Sequence, residues 1–114
     1  MRPLLHGDLV AAARVLLASP PGRRESVMEA LMAASEAADR YRKRLGRAHP
    51  RFGTGSLMAA AAAWPQAPEP MLDDADYLDC LACALSALRV ARSRAARPPH
   101  GGRAKQGVSS APRR

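Results

Sequence analysis

Residues 23–45 run without a glycine or a proline, and Val27, Leu31, Ala34, Ala38, Tyr41 and Leu45 fall among them at spacings of 4, 3, 4, 3 and 4. A strand would alternate every second residue, so this heptad-like seam specifies a long amphipathic helix and sets the class of fold. Alanine at two seam positions lets another helix approach closely. Glu36 with Arg40 and Asp39 with Lys43 are acid-first i,i+4 pairs, each worth about 0.2–0.5 kcal/mol. Gly46 follows as a plausible left-handed stop.

Three further helical patterns flank this one. Leu9, Val10, Ala13, Leu16 and Leu17 share a face over residues 9–18, with Asp8 as the expected N-cap and Pro20 and Pro21 as the stop. A connection over 47–55 leads to a short helix, 57–64, capped by Ser56 or Thr54. Pro65, Pro68 and Pro70 keep the following segment extended. The last helix is expected to begin at Asp73 or Asp74 and reach about residue 96. Its early acids and late arginines (Arg89, Arg92, Arg94, Arg97) suit the helix dipole. Leu78, Leu81, Leu85 and Leu88 form a stripe, with Cys80 and Cys83 off it, so this helix is apolar most of the way round. Such a helix is central, or buried between subunits. Isoleucine is absent and no stretch reads as a strand. The pattern predicts an all-α protein, a small three- to four-helix bundle over 1–97, with a disordered basic tail over 98–114. An antiparallel pair of the second and last helices is the expected spine.

The core is thin. Apolar residues make up 47% of the 114, but many are alanine and only four are aromatic, Tyr41, Phe52, Trp64 and Tyr77. A packed portion of this size buries about 60–65% of its unfolded surface and is marginally stable. Association would relieve it, and the expected oligomer surface is Leu31, Ala34, Ala38 and Tyr41 with Leu78, Leu81, Leu85 and Leu88. Trp64 is expected to plug the end of the bundle or pack into a neighbouring subunit. Two cysteines are too few for a disulfide scaffold, the N-terminus does not read as a signal peptide, and no apolar run is long enough to span a membrane. The expected address is the cytoplasm.

Charge lies in blocks. Residues 1–39 carry four basic and five acidic side chains, 40–51 six basic and none acidic, 52–88 five acidic and none basic, and 89–114 eight basic and none acidic, for a net +8. This points to polyanions as partners. The expected nucleic-acid-binding set is Arg42, Arg44, Arg47 and Arg51, then Arg89, Arg92, Arg94 and Arg97, then Arg103, Lys105, Arg113 and Arg114 in the tail. The competing reading is a helix end satisfied by arginines and a solvated tail. An antiparallel spine would place the basic end of the second helix against the acidic start of the last and neutralise part of the first cluster.

Catalytic and metal chemistry find little footing. Cys80-Leu81-Ala82-Cys83 has no second pair and no paired histidines to complete a zinc site, and Asp76 and Asp79 should raise its thiol pKa values. Gly53-Thr54-Gly55-Ser56 lacks the lysine of a phosphate loop and reads as a glycine turn with a serine cap. Asp73, Asp74, Asp76 and Asp79 lack the alternation of a calcium loop. We expect no enzyme, no metal and no cofactor.

Leu5-His6-Gly7-Asp8, the run Gly46-Arg47-Ala48-His49-Pro50 with Gly53-Thr54-Gly55-Ser56-Leu57-Met58-Ala59-Ala60, and Glu69-Pro70 before Asp73-Asp74, Tyr77 and Cys80 together resemble a family of small helical proteins of Rhodobacter-like alphaproteobacteria. That family is associated with the small-terminase position of gene transfer agent clusters. The resemblance covers roughly residues 4–92. It implies an oligomeric helical adaptor that engages DNA and hands it to a large terminase subunit. No helix-turn-helix with a recognition helix is visible, so only weak sequence preference is implied. The alternative is an interaction or regulatory module whose basic end meets an acidic partner protein.

Overall fold

The computed structural model describes residues 2–96; Met1 and residues 97–114 lie outside the described residues, and the expected basic tail falls there. Four α-helices are present among the described residues: α1 (His6–Leu17), α2 (Arg24–Leu45), α3 (Leu57–Ala61) and α4 (Ala75–Ala96), with a 3-10 turn, Pro21–Arg23, leading into α2. They form an all-α bundle without a strand among those residues, beyond one isolated bridge between His49 and Gly53.

Helix α1 starts three residues earlier than its apolar pattern suggests. Asp8 is not its N-cap. It sits one turn in, with Oδ2 accepting the Leu5 amide at 2.7 Å and Oδ1 accepting the Met58 amide, at the start of α3, at 2.9 Å. One buried carboxylate thus serves two helix N-termini, each a source of unpaired amides. Gly46 closes α2 with a left-handed φ of 72°, its amide donating to the Arg42 carbonyl. Ser56 caps α3 by accepting the Ala59 amide at 3.0 Å. Helix α3 stops at Ala61, and Ala63 and Trp64 continue only as a tighter turn, donating to Ala60 and Ala61. Pro65 cannot extend it. Asp74 accepts the Tyr77 amide at 2.9 Å and starts α4.

The spine differs from expectation. Helix α1 is the hub, packing most extensively on α4 and α3 and also on α2. Ala11, Ala12, Ala13, Val15 and Leu16 are all buried. Three consecutive buried positions point in different directions on a helix, so α1 is enclosed. Leu4, Leu5 and Leu9, around its start, face Leu85, Leu88 and Arg92 near the end of α4. Arg24 joins the other ends: its Nε donates to the Leu16 carbonyl at 3.0 Å while its two terminal nitrogens hold Asp76 at 2.8 and 3.1 Å. Helices α2 and α4 therefore begin together and both run opposite to α1. The antiparallel pairing of α2 with α4 is overturned, because the 13-residue segment 62–74 returns the chain along α1 before α4 begins. Ala67 marks that return, exchanging backbone and side-chain bonds with Arg14 at 3.1 and 2.7 Å.

The core stripe of α4 is Tyr77, Cys80, Ala84 and Leu88, rotated from the leucine stripe that the sequence suggested. Cys80 is fully buried, whereas Leu78 and Leu85 are 46% and 53% exposed. Leu31, Ala34, Ala38 and Leu88, expected at an oligomer surface, are interior to this chain; half of that surface is the molecule's own packing. Tyr41 and Leu81 are half-buried.

Candidate nucleic-acid interface

Because α2 and α4 run the same way, their basic C-terminal parts lie toward one end of the molecule and the acidic start of α4 toward the other. The start of α1 links the two basic parts. On one side it meets the last turns of α4. On the other, Arg2 donates to the Gly55 carbonyl and Asp8 binds Met58, which places the 54–58 turn against it. That turn is fastened to α2: Ser35 Oγ donates to the Gly55 carbonyl at 2.8 Å and Arg42 Nε to the Thr54 carbonyl at 2.9 Å. The neutralisation of the first cluster by the acidic start of α4, expected from an antiparallel pair, is absent.

The expected binding residues divide into three groups. Arg44, Arg47, Arg51, Arg89, Arg92 and Arg94 are exposed. Arg42 is committed to the fold, with NH2 on Asp39 Oδ1 at 3.1 Å besides its bond to Thr54. Arg97, Arg103, Lys105, Arg113 and Arg114 lie outside the described residues. Asp39 is nearly buried and also meets Lys43 at 3.1 Å. Lys43 first and then Arg42 outweigh the cost of burial and hold its carboxyl at about 2.

Beside Arg44, Arg47 and Arg51 runs a row of rings that the sequence did not reveal as a unit. Tyr41 meets His49 edge-on with centroids 4.9 Å apart, His49 stacks on Phe52 at 5.1 Å, and Phe52 on Trp64 at 5.9 Å. Trp64, half-buried, packs against the core at the far end of that row. The Arg51 guanidinium lies over the Phe52 ring at 5.3 Å. His49 Nδ1 accepts the amides of Arg51 and Phe52, both at 3.1 Å, and so ties the loop together. The signal was the aromatic content of 41–64, but only the fold brings those rings together.

The remaining motifs are structural. Gly55 has φ 105°, and a Cβ there would come within 2.9 Å of the Asp39 backbone; the glycine turn is a packing device against α2. The cysteines are unpaired, and burial first, with nearby carboxylates adding to it, pushes both thiols above their usual range. That is the opposite of an activated thiolate. No group of three potential metal ligands exists among the described residues. No helix of the described residues is long and apolar enough to cross a membrane.

Fold and charge together define a small all-α protein with an acidic end and a basic end. Residues 2–88 match the family described as Domain of unknown function (DUF7742), and the chain belongs to it. No curated protein matches, and no solved structure does.

Proposed function

We propose that this protein is a non-enzymatic, oligomeric helical adaptor of the cytoplasm that holds DNA at its basic end, in the manner of the small terminase of a gene transfer agent, and presents it to a large terminase subunit. The observation that carries the reading is the co-directional run of α2 and α4, which leaves Arg44, Arg47, Arg51, Arg89, Arg92 and Arg94 exposed toward one end. Phosphate contacts of this kind need no base readout. Fluorescence anisotropy of a labelled duplex across a salt series tests it. With about four to six phosphates neutralised, log Kd changes with log salt with a slope of magnitude about 4–5. Replacing Arg89, Arg92 and Arg94 by glutamine should reduce that slope by about 2–3. Absence of binding at about 50 mM salt, or binding indifferent to salt, refutes the proposal.

A second reading, an acidic protein partner at the same end, is supported by a notch of about 350 Å³ lined by Leu4, Leu5, Leu9, Leu85 and Leu88 and rimmed by Arg89 and Arg92. Phosphate has no use for leucine, whereas an acidic amphipathic peptide uses both. Pull-down of an acidic partner by a chain without DNA affinity would favour this reading.

A further inference from the structure

Helix α4 carries apolar side chains on two sides beyond its buried stripe. On one side it forms, with α2, a groove of about 730 Å³. Its floor is the buried Met28, its walls include Met32 from α2 and Cys83, Ala87 and Val90 from α4, and its rim carries Glu25, Glu29 and Asp79 at one end and Arg94 at the other. Val90 is 47% exposed. Methionines make such a surface adaptable, and small residues on α4 let a helix come close. On another side, Leu78 and Leu85 stand out from the molecule, followed along the same helix by the exposed Arg89 and Arg92. At about 100° per residue these four lie within about 60° of one another and about 140° from the groove side.

Groove and ridge match in chemistry and in length. The groove runs from a carboxylate end at Asp79 to Val90, with Arg94 one turn beyond, and the ridge from an apolar end at Leu78 to a cationic end at Arg89. Both intervals span eleven residues, about 16 Å of helix. Laid antiparallel, Leu78 meets Val90, Leu85 meets Cys83, and Arg89 and Arg92 reach Asp79 and Glu25.

We propose that the α2–α4 groove of one molecule receives the Leu78–Leu85–Arg89 ridge of a second copy of this chain, antiparallel. This deepens the oligomeric part of the function proposed above and rests on it. Within an assembly Arg89 and Arg92 are taken by the next copy's carboxylates and phosphate meets Arg44, Arg47, Arg51 and Arg94, whereas a free chain offers all six. One molecule can offer groove and ridge at once, so the contact is heterologous and adds copies beyond two. Its carboxylate–arginine pairs make it weaken with salt.

Light scattering on the full chain after gel filtration tests the contact in the absence of nucleic acid. The wild-type chain should grow beyond a dimer with concentration and shrink as salt rises. A ridge variant (Leu78→Ser with Leu85→Ser) and a groove variant (Val90→Glu) alter half-exposed positions, so both should keep the helical circular dichroism. Each alone should be monomeric, its association weakened by more than about tenfold. Mixed, they should form a dimer and stop there, because one intact groove meets one intact ridge. A wild-type chain that stays monomeric, a folded variant that still assembles, or a mixture that remains monomeric overturns the proposal. The ridge variant keeps every cation, so titrating it with DNA tests the DNA reading separately from this contact.

Discussion

Replacing Asp8 by alanine should cost this fold far more than its place in a short helix suggests. The carboxylate is 3% exposed and binds the Leu5 amide at 2.7 Å and the Met58 amide at 2.9 Å. A hydrogen bond to a charged group contributes about 1.5–3 kcal/mol. The Met58 bond, inside the α1–α3 junction, should be lost at full value. Leu5 is 73% exposed, so its amide regains water and its loss costs about 0.5–1 kcal/mol. The sum is about 2–4 kcal/mol, which for a domain of this size lowers Tm by roughly 10–25 °C. The Asp8→Asn variant should recover about half, since an amide has one acceptor oxygen for two amide donors that address different oxygens. Circular dichroism melts at neutral pH, with urea titrations to confirm an unchanged m, measure this. An Asp8→Ala chain melting within about 2 °C of wild type would refute the account, and the two bonds would then carry no net stability.

Two further perturbations test α2 and the glycine turn packed on it. Asp39 titrates at about 2 instead of 3.8, so its folded form is favoured wherever the carboxyl is ionised. That contribution, about 2 kcal/mol, is complete above pH 4 and disappears as pH falls through about 2. Urea midpoints of wild type and Asp39→Asn should therefore differ at neutral pH and converge in acid. Gly46 and Gly55 both have positive φ, but a Cβ at Gly46 meets open space while one at Gly55 meets Asp39. Gly46→Ala should cost about 1 kcal/mol, and Gly55→Ala at least about 2–3 kcal/mol, in the same denaturation assay.

The sequence disclosed helices wherever the cause was local. Gly46 and Ser56 act within one turn of the chain, and each does what its type and position suggest. Asp8 also looked local, as an N-cap, but Met58, fifty residues away, determines its role. Direction was the larger misreading. Seam spacing says that α2 buries a face, not against what, and a basic end facing an acidic start favours on paper the antiparallel pairing that the fold does not adopt. Arg24, binding Leu16 and Asp76 together, decides it, and nothing near Arg24 in the chain announces those partners. The same limit explains Cys80: a leucine stripe draws the eye, but the face α4 turns inward is the one that can lie close to an alanine-lined α1, and Cys80 and Ala84 are small enough for it. For the candidate interface, the cationic blocks were legible and their convergence was not.

The run Ala11-Ala12-Ala13 has a consequence for how this chain can drift. A rod enclosed by neighbours and coated in single methyls has no free direction in which a larger side chain could grow. Length, linker sequence and surface polarity elsewhere can vary, while these positions hold the distance between axes. The shortest of the three principal helices is thus the gauge that sets the spacing of the other two.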